Sequence, residues 1–157
     1  MGESAKKPGV RVRFLFNIAN DVAAIREFYV SLLGLEEVHF MDTEEFGWLS
    51  TNSEGFQMMW FRADVPQEVP TDFAMQPGWE GGTREVTSWA VQIPEADFGS
   101  VYERLREAGT RMFRPEPEWR QDSYWGLSVL DPMGVTVEVY TTPAERPAST
   151  EWPGTGA

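Results

Sequence analysis

The hexapeptide Arg13-Phe14-Leu15-Phe16-Asn17-Ile18 (residues 13–18) has a counterpart later in the chain, Ser88-Trp89-Ala90-Val91-Gln92-Ile93 (residues 88–93). The same separation relates Gly34 to Gly109, and each of these glycines ends a segment with helical periodicity. A constant separation between matching segments is the sequence pattern of a duplicated structural unit. The sequence therefore predicts two copies of one module, each running strand, helix and three further strands.

The duplication divides the chain into five segments within one structural domain. Each module begins with a strand, predicted at residues 10–18 and 86–93, and continues with a helix that ends at its glycine. The predicted helices cover residues 22–33 and 98–108. The predicted segments are a disordered leader at 1–9, a first module at 10–62, a linker or lid loop at 63–85, a second module at 86–142 and a flexible tail at 143–157. The second strand of the second module is predicted at 111–114.

The composition excludes several classes of function. The chain has 157 residues and a formal net charge of −12, which repels the phosphate backbone of nucleic acids. It has no cysteine, so disulfides and thiolate chemistry are excluded. No apolar run approaches the roughly 18 residues of a membrane span. The N-terminal segment lacks the apolar stretch of a secretory signal, and we therefore expect a cytoplasmic protein.

Short motifs occur in an order that is typical of a known family. Phe28-Tyr29 precedes Leu32-Leu33-Gly34-Leu35, and Asp131-Pro132-Met133-Gly134 precedes Glu138. With this order and the duplication, the chain resembles the vicinal oxygen chelate superfamily, which groups glyoxalases, bleomycin-resistance proteins and extradiol dioxygenases. The resemblance implies an α+β fold, in which two tandem βαβββ modules form a curled eight-stranded mixed sheet around a cleft with the helices outside. It also implies a homodimer.

The resemblance further implies where a metal ion would bind, and these positions hold poor ligands. The first-strand positions are Arg13 and Ser88, and the last-strand positions are Met59 and Glu138. If the first strand is shifted by one residue, Phe14 replaces Arg13. Arginine, serine, methionine and phenylalanine hold a hard divalent cation poorly, and a catalytic metal needs about three protein ligands. We therefore expect no bound metal and no cofactor.

Alternation along the strands predicts the lining of the cleft. If Glu138 points into the cleft, neighbouring strands contribute apolar and aromatic surface beside a few directional polar groups, as in small-molecule pockets. Glu138 then has three possible roles: a general base, an anchor for a cationic ligand, or the partner of Arg13 in an ion pair. The predicted ligand-binding residues are Arg13, Leu15, Asn17, Gln57, Met59, Phe61, Ser88, Gln92, Trp125, Thr136 and Tyr140, with Glu138 as the catalytic candidate.

These residues leave three functions open. The first, and the preferred interpretation, is a metal-independent protein that binds an aromatic or cationic natural product, with no nucleic-acid or membrane partner. The second is a glyoxalase-like lyase, isomerase or dioxygenase-type enzyme, with or without a metal, in which Glu138 acts as acid or base and Tyr140 or Arg13 assists. The third is an interaction module whose cleft is filled by its own side chains.

Overall fold

A computed structural model describes residues 9–77 and 81–154 of the chain. Each half contains one helical region and four strands, in the predicted order. None of the helices in these two ranges is long and apolar enough to cross a membrane. The first half comprises β1 (Phe14–Ala19), α1 (Val22–Arg26), which continues as a π-helix (Glu27–Leu32), β2 (Glu36–Asp42), β3 (Gly47–Ser53) and β4 (Phe56–Arg62). The second half comprises β5 (Trp89–Gln92), α2 (Glu95–Glu107), β6 (Glu118–Arg120), β7 (Tyr124–Leu130) and β8 (Thr136–Thr141).

The first helical region lies where the sequence predicts it, at residues 22–33, but its second half has wider turns. Asp21 accepts a hydrogen bond from the Ala24 amide at 3.0 Å and so caps the start of α1. The rest of the region is π-helical, and the Leu33 amide donates to the Phe28 carbonyl at 3.1 Å, in the i to i−5 pattern. The predicted helix is therefore confirmed in position and corrected in type.

The strands form two four-stranded sheets of identical topology. The strand order is β1-β4-β3-β2 in the first sheet and β5-β8-β7-β6 in the second. The first strand of each module pairs in parallel with the last, and the other neighbours are antiparallel. Two tandem βαβββ modules in an α+β fold are therefore confirmed. The eight strands divide into two mixed sheets instead of forming one hydrogen-bonded sheet.

One hydrophobic core spans both modules, and a buried polar link lies within it. The Tyr29 hydroxyl donates to Asp131 at 2.7 Å and accepts from the Trp89 indole at 3.1 Å. Asp131 also accepts the amides of Met133 and Val135, which fixes the turn between β7 and β8. Burial raises the pKa of Asp131 despite these donors. The helix of the first module is thus tied to the sheet of the second.

One strand of the second module departs from its predicted position. Residues 111–114 were predicted as a strand but make only an isolated bridge to β7. The strand that pairs regularly with β7 is β6, which begins four residues after the predicted strand ends. Pro115 and Pro117 lack the amide hydrogen that a continuous ladder needs, so regular pairing resumes only after them.

The predicted leader precedes the two modules in the chain, and the predicted tail follows them. All but the last residue of the leader at 1–9 lies outside the described residues. The tail at 143–157 has no helix or strand where it is described, and its Trp152 packs against Phe98, Tyr102 and Trp125 at ring-centroid distances of 5.6, 6.1 and 5.1 Å. This cluster holds the described part of the tail against α2, while the segment boundaries themselves stay predictions.

Candidate functional site

Each sheet packs one face on its helix, and we call the opposite face, which carries no helix of its own module, the open face. Residues that pair across the ladders lie on the same face, so the register separates the two. On the helix-facing side of the first sheet, Leu49, Met58 and Trp60 are at most 7% exposed. The first open face carries Phe14, Phe16, Ile18, His39, Met41, Phe46, Trp48, Ser50, Gln57, Met59 and Phe61. The second open face carries Ala90, Gln92, Glu118, Arg120, Tyr124, Gly126, Ser128, Thr136, Glu138 and Tyr140.

Aromatic rings dominate the first open face. Trp48 stacks on Phe61 with centroids 6.2 Å apart and planes inclined by 6°, and Phe16 stacks on the same ring at 6.3 Å. Phe14 and Phe16 are 46% and 64% exposed. Within the described residues, the buried ring nitrogens Nε1 of Trp48 and Nε2 of His39 have no hydrogen-bond partner. Soluble monomers rarely expose apolar patches above a few hundred Å², so this face is a candidate contact surface.

The predicted placement of Leu15 and Asn17 on the open face is wrong by one residue. β1 pairs Leu15 with Met58 and Asn17 with Trp60, so both lie on the helix-facing side. Because side chains alternate along a strand, a shift of one position exchanges the two faces. The phenylalanines of β1 therefore occupy the open face, beside the predicted residues of β4, which do lie there.

The second open face carries a charged cluster centred on Glu138. Arg120 Nη1 donates to Glu138 Oε1 at 2.9 Å and to Ser128 Oγ at 3.1 Å, and Arg120 Nη2 donates to Glu118 Oε2 at 2.8 Å. The Tyr124 hydroxyl donates to the same Glu138 oxygen at 2.8 Å. The Arg120 and Glu138 side chains are 5% and 14% exposed, so this ion pair is largely shielded from water. No donor among the described residues reaches Glu138 Oε2.

The absence of a side chain at Gly126 allows Arg120 to extend across the sheet. A Cβ atom on Gly126 would lie 2.8 Å from Cδ of Arg120 and 3.1 Å from its Nε, closer than such atoms pack. Because Gly126 has no side chain, the arginine crosses β7 from β6 and reaches Glu138 on β8. The ion pair therefore joins two strands that are not neighbours, and it depends on the glycine between them.

Tyr124 keeps its proton in this environment. Burial, followed by the hydrogen bond to Glu138, raises the pKa of Tyr124 to about 12. The phenol is therefore a hydrogen-bond donor near neutral pH. Its ring lies 5.5 Å from that of Tyr140, centroid to centroid. Two phenol rings thus accompany the carboxylate on the second open face and provide flat apolar surface next to its charge.

The linker covers one end of the second open face. The Ala74 amide donates to Thr136 Oγ1 at 2.7 Å, and Gln76 Nε2 donates to Ser88 Oγ at 2.9 Å. Thr136 is only 2% exposed. Both Thr136 and Ser88 were predicted to bind a ligand, but in the structure both are engaged by the linker. Tyr140 lies near the opposite end of β8 from Thr136, so the linker contacts do not involve that part of the face.

Trp125 and Arg13 lie away from the cluster in which they were predicted. Trp125 is 6% exposed and lies on the helix-facing side, where its ring centroid is 5.3 Å from that of Trp119. Alternation along β7 brings its neighbour to the open face instead. Arg13 precedes β1, and its Nε donates to the Gly55 carbonyl at 2.8 Å. The ion-pair partner of Glu138 is therefore not Arg13, and that alternative was wrong.

The cluster also contains residues that the sequence reasoning missed. Gln92 and Tyr140 share the second open face with Glu138, as predicted. Arg120 was not predicted because it lies beyond the strand predicted at 111–114. Tyr124 was missed because its neighbour Trp125 was predicted to face the cleft in its place. Their positions on either side of a short polar turn were the available signal for a hairpin.

The cluster does not fit a divalent metal ion. Glu138 is the one carboxylate at the four positions that the resemblance assigns to a metal, and a guanidinium already lies against its Oε1. Within the described parts of the chain, no three His, Cys, Asp or Glu side chains are grouped as a metal site requires. A permanent positive charge beside the carboxylate also disfavours a second cation at that oxygen. The arrangement is better suited to a ligand that donates a hydrogen bond to Oε2.

Known proteins resemble this chain in sequence pattern and fold. A family model described as Glyoxalase/Bleomycin resistance protein/Dioxygenase superfamily matches residues 14–139. No curated protein matches the chain. A glyoxalase/dioxygenase from Nostoc punctiforme is 20% identical with a TM-score of 0.62, and the match covers 91% of this chain and 99% of that one.

Two further solved structures show the same fold. Oxidase ChaP-H2 is 22% identical with a TM-score of 0.61, covering 87% of this chain and 96% of its own. The fosfomycin resistance protein FosX from Listeria monocytogenes is 16% identical with a TM-score of 0.58, covering 89% of this chain and 96% of its own. At these identities, the likeness to the solved structures shows the fold alone.

Proposed function

The chain belongs to the Glyoxalase/Bleomycin resistance protein/Dioxygenase superfamily, and from this membership we propose that it is a metal-independent protein that binds a small aromatic molecule carrying a cationic or hydrogen-bond-donating group. The ion pair between Arg120 and Glu138 carries the proposal. It places a fixed cation of the protein at the carboxylate that the superfamily resemblance assigns to a metal. The carboxylate is thereby held in place without a metal ion.

The state of Glu138 supports a ligand that donates a hydrogen bond. Oε1 receives two donors, from Arg120 and Tyr124, whereas Oε2 receives none from the described residues. A carboxylate oxygen binds ammonium, amidinium or amide hydrogens through charge-assisted hydrogen bonds, which are stronger than neutral ones. The ligand that fits best therefore presents an N–H group to Oε2. The net charge of −12 favours the approach of a cation over that of an anion.

Aromatic surface supports the other half of the proposed ligand. Tyr124 and Tyr140 lie beside the carboxylate, and the first open face adds the stacked rings of Phe16, Phe61 and Trp48. Aromatic side chains bind flat molecules by offset or edge-to-face contacts. In the proposal, the two open faces are the walls of one cleft, and a flat ligand lies between them.

We propose that the protein forms a homodimer, and the exposed first open face supports this. Its five most exposed apolar side chains, with exposures of 39–64%, present on the order of 400 Å² if each has a total surface of about 150–250 Å². A standard interface buries about 800 Å² per partner. The aromatic patch alone therefore supports a weak dimer, and a stable one requires further surface. Light scattering over a range of concentrations measures this, and a constant single-chain mass contradicts the proposal.

Binding of aromatic amines tests the main proposal. Trp48 lies on the first open face, so quenching of tryptophan fluorescence reports on a bound ring. We expect Phe16→Ala to weaken binding about fivefold, because one exposed ring contact is lost. Val65→Ala is the matched control, since Val65 is an apolar residue that is 70% exposed and lies in the linker. A screen of aromatic amines and amides without any binder, or an equal loss in both variants, contradicts the proposal.

A mixing experiment shows whether the cleft lies in one chain or between two. Phe16→Ala damages the first open face, and Glu138→Gln damages the second. If the cleft is shared between two copies, a mixed dimer contains one site with both walls intact, and mixing restores part of the tight binding. If the cleft lies within one chain, every site keeps one defect and mixing restores nothing.

One observation favours an enzymatic alternative. Oε2 of Glu138 lacks a protein donor, and Tyr124, with a pKa of about 12, is a protonated donor at the same carboxylate. A carboxylate base beside a proton donor can move a proton from a carbon acid. Under this alternative, Glu138→Gln abolishes turnover and leaves ligand affinity nearly intact. Under the binding proposal, the same substitution weakens affinity because Oε2 is replaced or its charge is lost.

A further inference from the structure

A groove lies between the two modules, and it shares only Ala90 and Gln92 with the residues named for the two open faces. It encloses about 590 Å³ and is bordered by the turn between β3 and β4, the C-terminal end of the π-helix and the N-terminal half of α2. Its floor is apolar and includes Phe56, Met58 and Val91. Clefts of ≈ 300–1,000 Å³ with an apolar lining are typical of small-molecule sites. The groove is thus large enough for a ligand that carries one aromatic ring.

The rim of the groove is acidic. Glu36, Glu54 and Asp97 line it, and Arg104 is the only basic side chain among its lining residues. None of the three carboxylates forms an ion pair within the described ranges. Arg104 donates from Nε to the Leu32 carbonyl at 3.1 Å, which holds it toward the end of the π-helix. The potential at the groove mouth is therefore negative, which attracts a cation.

The acidic rim and the apolar floor together indicate which ligand the groove would bind. A cationic head group is drawn to the three carboxylates, and its apolar body is drawn to the apolar floor. Phe56 adds an aromatic ring, on which an organic cation gains a further cation–π attraction. From these features we propose that the groove is a second binding site, which takes a small organic cation with an aromatic or aliphatic body. It meets the second open face at Ala90 and Gln92 but does not include the charged cluster, because neither Glu138 nor Tyr140 lines it.

Site-resolved titration separates the groove from the proposed ligand site. Benzyltrimethylammonium is the probe, because its charge is permanent and independent of pH. Amide shifts of ¹⁵N-labelled protein report on the groove at Val91 and Ser100, and on the second open face at Gly126 and Tyr140. We expect saturable shifts at the groove amides. Neopentylbenzene, the uncharged isostere of the probe, should bind several times more weakly.

A charge-matched pair of variants tests the rim. We expect the double substitution Glu54→Gln and Asp97→Asn to raise the groove dissociation constant about 3- to 10-fold, as for two exposed charge contacts. The control double substitution, Glu45→Gln and Asp64→Asn, makes the same change in net charge on exposed residues that do not line the groove. It should change the dissociation constant by less than about twofold, as expected for distant screened charges.

A blocking substitution completes the test. Ser100 is exposed on α2 and lines the groove, so Ser100→Trp should fill it and abolish the shifts at Val91. The proposal is overturned if the probe shifts no groove amide, if the control weakens binding as much as the rim variant, or if Ser100→Trp leaves binding intact. Shifts confined to Gly126 and Tyr140 also overturn it, while leaving the proposed function standing.

Discussion

Replacing Arg120 by methionine removes the cation on which the charged cluster depends. Methionine keeps much of the apolar stem but leaves Glu138, whose side chain is 14% exposed, facing Glu118 without a cation between them. Removing one partner of a buried ion pair typically costs about 3–5 kcal/mol. Glu118 is 36% exposed and partly solvated, so its share is small. We therefore expect Arg120→Met to lower the free energy of unfolding by about 3 kcal/mol at neutral pH.

Urea denaturation followed by circular dichroism measures this loss, and a second substitution separates the charge effect from packing. In the double variant Arg120→Met with Glu138→Gln, the stranded carboxylate is gone, so we expect most of the lost stability to return. The coupling energy between the two side chains is the stability change of the double variant minus the sum of the changes in the Arg120→Met and Glu138→Gln single variants. A loss below about 1 kcal/mol in the single variant, or no recovery in the double variant, refutes the view that Arg120 compensates a buried carboxylate.

Three further predictions follow from other contacts. Gly126→Ala places a Cβ 2.8 Å from Arg120 Cδ, and we expect it to lower the free energy of unfolding by about 1–3 kcal/mol in the same urea assay. An unchanged free energy contradicts the view that Arg120 needs a glycine at position 126 to cross β7. Tyr29→Phe leaves the Trp89 indole and Asp131 without their shared partner and should lower the free energy of unfolding by about 1–3 kcal/mol in the urea assay. An unchanged free energy of unfolding contradicts this. Burial raises the pKa of Asp131 above its ordinary value. The contribution of Asp131 to the free energy of unfolding is therefore present at low pH and is lost as pH rises through the raised pKa. Asp131→Asn should remove this pH dependence of stability, and an unchanged dependence contradicts the prediction.

The repeat in the sequence was sufficient to predict the order of elements in each module, because each module repeats the same strand, helix and glycine stop, whereas the sheet arrangement came from the family resemblance. Gly34 and Gly109 end their helical regions with φ of 91° and 71°, a backbone conformation that favours glycine. The face of β1 was not predictable in the same way. The hexapeptide alignment fixed its position only to within one residue, and one residue exchanges the buried and open faces.

The candidate site was predictable only where alternation was regular. Glu138 and Tyr140 lie in an uninterrupted strand, so their shared face followed from the sequence. Arg120 was hidden because the turn after it has unusual chemistry. Gln121 and Asp122 both have positive φ, 51° and 48°, as a tight hairpin turn requires. Glutamine is a rare residue for that conformation, and glycine or asparagine would have marked the hairpin more clearly.

The guanidinium at the centre of the second open face has a consequence for where the protein can operate. A metal ion held by side chains can be removed by a chelator, exchanged for a competing ion or lost when the cell is starved of it. Arg120 is part of the chain and cannot be removed in any of these ways. The Arg120–Glu138 pair is therefore insensitive to chelators and to iron or zinc limitation.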